Sequence, residues 1–140
     1  MPAQLLQPDQ LESPHDQVTI VAAGVTVHEA LAAADTLAAD GVPVRVIDLC
    51  SVKPLAAAAL HRAVAETSHL VTVEDDWPEG GLGDAVLAAF TTDGAGPLPR
   101  VVKLAVRDMP GSATPEEQLQ AAGINAEAIT AAARTLISTA

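Results

Sequence analysis

The densest group of residues able to do chemistry is Glu74-Asp75-Asp76-Trp77-Pro78-Glu79-Gly80-Gly81-Leu82-Gly83, which sets four carboxylates beside three glycines. Several oxygens together suit a hard cation. Neighbouring carboxylates can also drive their pKa values apart and divide acid and base roles between them. Two other readings need no reaction. The glycines permit a tight turn while the acids offset the dipole of a helix starting there. Alternatively, Trp77, the only tryptophan in the chain, anchors a partner, since tryptophan is enriched in interface hot spots. Spacing argues against a metal, because the acids run nearly consecutively, without the alternation of an EF-hand loop and without a histidine. The structural reading leads. Beside it the loop is a candidate interface made by Glu74, Asp76, Trp77, Glu79, Gly80, Gly81 and Gly83.

The remaining reactive residue types are scattered. Gly80-Gly81-Leu82-Gly83 lacks both the G-x-G-x-x-G spacing after a first strand and a Walker lysine, and its acids would repel phosphate. Gly24 follows the first strand without a second glycine, so no dinucleotide fingerprint exists. His15, His28, His61 and His69 form no pair at i, i+4, which leaves zinc unsupported. Cys50 reads as a buried apolar thiol. Ser51 and Ser112 lack the G-x-S-x-G context of a nucleophile elbow. Lys53, Arg107, Asp108 and Ser112 stand at or near strand ends, where a ligand could meet them, whereas Arg45 and Arg100 stand at strand starts on the opposite edge. No residue therefore receives a catalytic, cofactor-binding or metal-ligating role.

These loops need elements to hold them. Gln17–Ala23, Val44–Leu49, His69–Asp75 and Arg100–Val106 are short runs dominated by β-branched and other apolar residues, and read as strands. Between them lie helical stretches: one after Thr26 to about Asp40, one from Leu55 to Thr67, one from Leu82 to Phe90. Thr26-Val27-His28-Glu29 has the spacing of a capping box, and Gly41 suits a left-handed stop. Thr114-Pro115-Glu116-Glu117 repeats the capping box with proline at the first helical position, ahead of a short helix ending at Gly123. Asn125 caps a last helix to about Ser138. Strands alternating with helices predict a single three-layer α/β/α domain with a mostly parallel sheet, of which the pattern supplies four strands. In such a sheet ligands sit beyond the carboxyl ends of the strands, which puts the Gly24–Thr26, Cys50–Pro54, Glu74–Gly83 and Arg107–Thr114 loops on the functional edge.

Composition narrows the function classes. The chain has 140 residues and a net charge of −11, from 7 Lys+Arg against 18 Asp+Glu. That balance repels phosphate backbones and anionic lipid, so neither nucleic acid nor a membrane surface is an expected partner. Trp77 and Phe90 are the only aromatics, too few for base stacking. A single cysteine excludes an internal disulfide framework and fits a reducing compartment. No apolar run of about 18 residues spans a membrane, and residues 1–16 lack the basic and apolar regions of a secretory signal. A cytoplasmic location is the expectation. Residues 1–16, with Pro2, Pro8 and Pro14, read as a linker or disordered tail, and 17–140 as the folded domain. The 29 alanines favour helix but fill little volume, so Val, Ile and Leu must make the core.

Several segments in order then resemble one family. Gln17–Gly24 with Val25–Leu31, Val44–Asp48 with Val52-Lys53-Pro54-Leu55, Val71–Asp75 with Glu79–Gly83, Pro110-Gly111-Ser112, and Gly123-Ile124 ahead of the last helix are similar to the transketolase C-terminal domain. The resemblance covers about residues 17–138. It implies a five-stranded sheet with one antiparallel strand, whereas the sequence reading finds four. It also implies a parent enzyme with two further domains, which bind thiamine diphosphate and Mg²⁺ between them across a dimer interface. The family's metal motif, GDG with a later asparagine, has no counterpart, since only Thr92-Asp93-Gly94 and the capping Asn125 approach it. The pyrimidine-binding domain's glutamate is likewise missing. Arg107-Asp108-Met109-Pro110-Gly111-Ser112 is less basic than in some relatives, which weakens any anion-contact role for that loop.

The resemblance therefore implies a structural and dimer-assembly module of an enzyme moving two-carbon ketol units between sugar phosphates. Such a module would be inactive alone and would partner the thiamine-diphosphate-binding domains or subunit within an oligomer. The alternative is a partner- or carrier-docking module like those ending the β subunits of 2-oxo acid dehydrogenases.

Overall fold

The computed structural model describes residues 4–5, 15–49, 57–92, 94 and 96–139. Ten elements follow one another: β1 (Gln4–Leu5), β2 (Val18–Ala22), α1 (Thr26–Ala39), β3 (Val44–Asp48), α2 (Ala57–Thr67), β4 (His69–Val73), α3 (Leu82–Thr91), β5 (Arg100–Leu104), α4 (Pro115–Ala122) and α5 (Ala126–Ser138). The sheet order is β1-β3-β2-β4-β5. β2, β3, β4 and β5 pair in parallel, and β1 runs antiparallel to β3 with Gln4 opposite Asp48.

The sequence reading found the four parallel strands and missed β1. A two-residue strand in a proline-rich polar stretch carries no alternation to detect. Two pieces of the stretch expected as a linker or tail thus meet the domain: β1 extends the sheet, and Asp16 is buried against Arg45.

Side chains alternate between the two faces of the sheet, because successive residues of a strand point opposite ways. Val18, Ile20 and Ala22 of β2, Val44 and Val46 of β3, and Val71 and Val73 of β4 face α1 and α5, where Leu37, Ile124, Ile129 and Ala133 complete the packing. Val21, Ile47 and Leu70 face α2 and α3, against Leu60, Val64, Val86 and Phe90. The second face is partly polar: Thr19 meets Thr67 at 2.9 Å, and Arg45, fully buried, reaches Asp16 at 3.2 Å and also pairs with Glu66. Arg45 does lie at a strand start, away from the ligand edge. Arg100, also at a strand start, donates to the carbonyl of Leu136 at the end of α5.

The helix boundaries match the caps in three of four cases. Gly41 (φ +80°) follows the end of α1. Thr114 and Glu117 form a reciprocal capping box on α4, and Gly123 stops it in the left-handed region. Asn125 accepts from the N–H of Ala128 at 2.9 Å. The exception is Thr26-Val27-His28-Glu29. α1 has no side-chain cap. Thr26 Oγ1 lies instead between the carbonyls of Ala23 (2.8 Å) and Val73 (3.1 Å), tying the end of β2 to the end of β4. Glu29 reaches across the layer to accept from the N–H of Ala126, at the start of α5. Tertiary partners displaced the local pairing that the spacing predicts.

Candidate functional site

β2, β4 and β5 are parallel, so their carboxyl ends share one edge and carry the loops that follow them. The β4 and β5 ladder continues beyond the strands: Glu74 N–H donates to Leu104 O (3.0 Å) and Val106 N–H to Asp76 O (2.9 Å). The two loops are thereby held as one rigid edge.

The Glu74–Gly83 loop divides into an inward and an outward half. Glu74 is 4% exposed and turns inward. Its Oε1 accepts from Leu82 N–H and its Oε2 from Gly83 N–H, each at 2.8 Å. One carboxylate thus satisfies two of the orphan donors at the start of α3 and faces the positive end of the helix dipole. The glycines make this approach possible. A Cβ on Gly81 would stand 1.8 Å from Glu74 Oε1, and one on Gly83 2.7 Å from Lys103 Cε and 2.9 Å from Thr72 Oγ1. Gly80 adopts φ +74°, and its N–H donates to Asp84 Oδ2 at 2.7 Å. Asp84 also pairs with Lys103, whose Nζ donates in addition to Pro78 O at 3.4 Å. The Lys103 ammonium first, and then the Gly80 N–H, hold the Asp84 carboxyl below the usual carboxylate range.

The outward half is Asp75, Asp76, Trp77 and Glu79, all exposed. Asp76 Oδ1 accepts from Trp77 N–H at 2.8 Å, which fixes the turn carrying the indole. Trp77 and Asp76 line a groove of about 780 Å³, closed on the other side by Val25, the Arg107–Ala113 loop and α4. Ile124, 2% exposed, forms part of its floor. Asp75, Asp76, Asp108 and Glu117 ring it, with Arg107 the one cation among its lining residues.

The seven candidate interface residues thus separate. Glu74, Gly81 and Gly83 build the start of α3, as the leading structural reading of this loop expects, and Gly80 shapes the turn before it. Asp76 and Trp77 face the groove, and Glu79 is exposed. Ser112 and Asp108 also border the groove. Arg107 donates to Lys103 O at 3.2 Å. The histidines do not converge: His61 packs edge-on to Phe90 with ring centroids 4.9 Å apart, His69 Nδ1 meets Gln17 O at 3.1 Å, and His15 and His28 are exposed. Cys50, Ser51 and Lys53 lie outside the described residues. Among the described residues, no three His, Cys, Asp or Glu side chains are placed to hold a metal ion. Three contributors were not singled out by the sequence reading, although it placed the loops of Val25 and Met109 on the ligand edge. Asp84 carried a signal, its i+4 spacing from Gly80; Val25 and Met109 carried another, apolar residues in otherwise polar strand exits.

Residues 10–129 match the family model for the transketolase C-terminal domain. The chain belongs to the transketolase C-terminal domain family. As members of that family, its curated relatives include the Bos taurus transketolase-like protein 1, 46% identical over 119 residues, covering 84% of this chain and 20% of the relative. Mus musculus transketolase is 43% identical over 129 residues, covering 91% of this chain and 20% of the relative. The solved structure described as split gene transketolase, inactive beta4 tetramer, superposes with a TM-score of 0.80 at 32% identity, over 96% of this chain and 46% of the other. This transketolase C-terminal domain therefore spans about a fifth of the curated relatives' length.

Thiamine diphosphate would need a diphosphate cradle and a divalent cation, and the groove of this domain offers the wrong donors for the first. Four carboxylates surround it against one arginine, and Glu74 already spends both oxygens on backbone N–H groups. No helix of the described residues is long and apolar enough to cross a membrane.

Proposed function

We propose that this chain is the assembly module of a transketolase-type enzyme that transfers two-carbon ketol units between sugar phosphates. Thiamine diphosphate and Mg²⁺ belong to the other domains of that enzyme, in the same polypeptide or a separate subunit, and the assembled enzyme is an oligomer working in the cytoplasm. The folded unit takes in residues 17–140 together with the β1 segment and Asp16 that join it. The observation that carries this reading is the family match over residues 10–129, on a domain whose buried strand-end carboxylate, Glu74, caps a helix. Glu74 and Asp84 hold the start of α3, so the edge that would carry catalysis in a wound α/β enzyme is here a scaffold.

The test is reconstitution. Ketol transfer is measured for the thiamine-diphosphate-binding domains of the same enzyme, for this chain, and for the two mixed. The expected result is no turnover by this chain and higher turnover by the mixture than by the cofactor-binding part alone. Turnover by this chain alone, or indifference of the cofactor-binding part to its presence, overturns the proposal.

A further inference from the structure

Four large hydrophobic side chains stand out as exposed among the described residues: Val25 (45%), Trp77 (43%), Leu98 (68%) and Met109 (81%). Leu98 precedes β5, at the amino end of that strand. The other three converge on one groove at the carboxyl end of the sheet. They come from three different loops, after β2, β4 and β5, so nothing in local sequence requires them to meet. Singly exposed apolar residues are ordinary, but their convergence in one concave site marks an interaction surface.

The groove is also built to keep its shape. Val106 N–H to Asp76 O (2.9 Å) locks two of its walls together, and Gln118 Nε2 to Gly111 O (3.1 Å) ties the Met109 loop to α4. A preformed concave surface loses little freedom on binding. Buried Ile124 and half-buried Leu119 lie beneath the exposed Trp77, and the exposed charges around them are Asp75, Asp76, Asp108 and Glu117 against Arg107 alone. That is the anatomy of a protein interface, an apolar core with a charged rim, and the rim's sign selects the partner. A second copy of this chain would bring the same acidic rim and another net charge of −11 against it.

From this we propose that the groove is the docking surface for the thiamine-diphosphate-binding part of the enzyme, which inserts an apolar side chain flanked by lysine or arginine. Trp77 is the anchor, Met109 closes over the inserted side chain, and the four rim acids pair with the partner's cations. The proposal deepens the assembly reading above and rests on it.

The test uses this chain and the purified cofactor-binding part of the same enzyme, with the dissociation constant read by calorimetry. Trp77→Ala and Met109→Asp are each expected to weaken binding by about 30-fold, as truncation of an interface anchor does. Leu98→Asp, intermediate in exposure between the two but at the other end of β5, is expected to leave the affinity unchanged. Raising the salt from dilute buffer to several times physiological strength is expected to weaken the wild-type complex. Thermal melts check that the variants fold, and Met109, the most exposed of the four, carries the test if Trp77→Ala does not. Full affinity in the folded groove variants places the interface elsewhere and overturns the docking proposal alone. Absence of binding by the wild type overturns the assembly reading and the docking proposal with it. Self-association of the wild type that Met109→Asp abolishes makes a second copy the occupant and also overturns the proposal.

Discussion

Glu74 and Gly81 share one space: a Cβ on Gly81 would lie 1.8 Å from Glu74 Oε1 and 2.7 Å from the carbonyl oxygen of Trp77. A carboxylate can swing away, but the Trp77 carbonyl is backbone and cannot. The glycine is there because a buried acid must reach the first turn of a helix that begins eight residues later in the chain. Gly81→Ala is accordingly expected to destabilise the domain by about 2–3 kcal/mol, the loss of charge-assisted hydrogen bonds plus backbone displacement. A urea titration gives the value. Wild-type stability in Gly81→Ala would mean that the carboxylate does not need this position.

Glu74→Gln tests the same contact from the other side. The amide keeps the shape but can accept with only one of its two terminal atoms, so either Leu82 N–H or Gly83 N–H faces a donor. The expected cost is about 1–3 kcal/mol, with amide exchange at Leu82 and Gly83 accelerating more than in the rest of α3. Uniform exchange across α3 would contradict a local capping role.

How far the sequence revealed this arrangement depends on how local each signal was. The β-branched runs of β2 to β5 gave the parallel sheet, since both faces are covered and each strand is apolar throughout. Thr114, Gly123 and Asn125 were legible because their partners lie within four residues. Glu29 was not, because its partner Ala126 N–H is 97 residues away. Thr26 was not, because Val73 is 47 residues away. The groove was half legible. Trp77 is conspicuous by its type, whereas Val25 and Met109 gain meaning only when three strand ends meet.

Arg45 and Asp16 bury opposite charges at 3.2 Å, with the two side chains 0% and 4% exposed. Removing one charge of a buried pair strands the other, at about 3–5 kcal/mol. Asp16→Ala leaves Arg45 its Glu66 partner and should cost less than that, about 1–3 kcal/mol, while Glu66→Ala, whose side chain is 37% exposed, should cost about 1 kcal/mol or less. Arg45→Met, which takes the shared cation away from the buried Asp16 carboxylate, should cost the full amount, about 3–5 kcal/mol, and more than Asp16→Ala. Chemical denaturation of the three variants checks the order. Equal effects of Asp16→Ala and Glu66→Ala would show that burial does not govern the triad.

Asp84 supplies the acid-side pH dependence. Lys103 and Gly80 favour its charged form, so its folded pKa lies below its unfolded value. The stabilisation is therefore complete above the usual carboxylate range, near pH 4, and is lost as pH falls through the lower folded value. Asp84→Asn should lower stability at neutral pH and narrow its difference from wild type as the medium becomes strongly acidic. Urea midpoints across that range read the convergence. A constant gap at every pH would mean that the aspartate acts through packing rather than charge.

α5 starts with two side-chain acceptors from different parts of the chain: Asn125 Oδ1 takes Ala128 N–H at 2.9 Å and Glu29 Oε1 takes Ala126 N–H at 3.3 Å. α5 packs on both β4 and β5, with Ile129, Ala133 and Leu136 in the core, so the cap also fixes where this helix sits along the sheet. Asn125→Ala should cost about 1 kcal/mol, the usual worth of an N-cap. Glu29→Ala should cost less alone, because its bond is longer and Ala126 N–H is only partly buried. The double variant decides whether the two act together. If both hold the same helical turn, the first loss frays it and lowers the value of the second, so the combined cost falls short of the sum. Full additivity in the denaturation midpoints would mean that Glu29 anchors α1 without supporting α5.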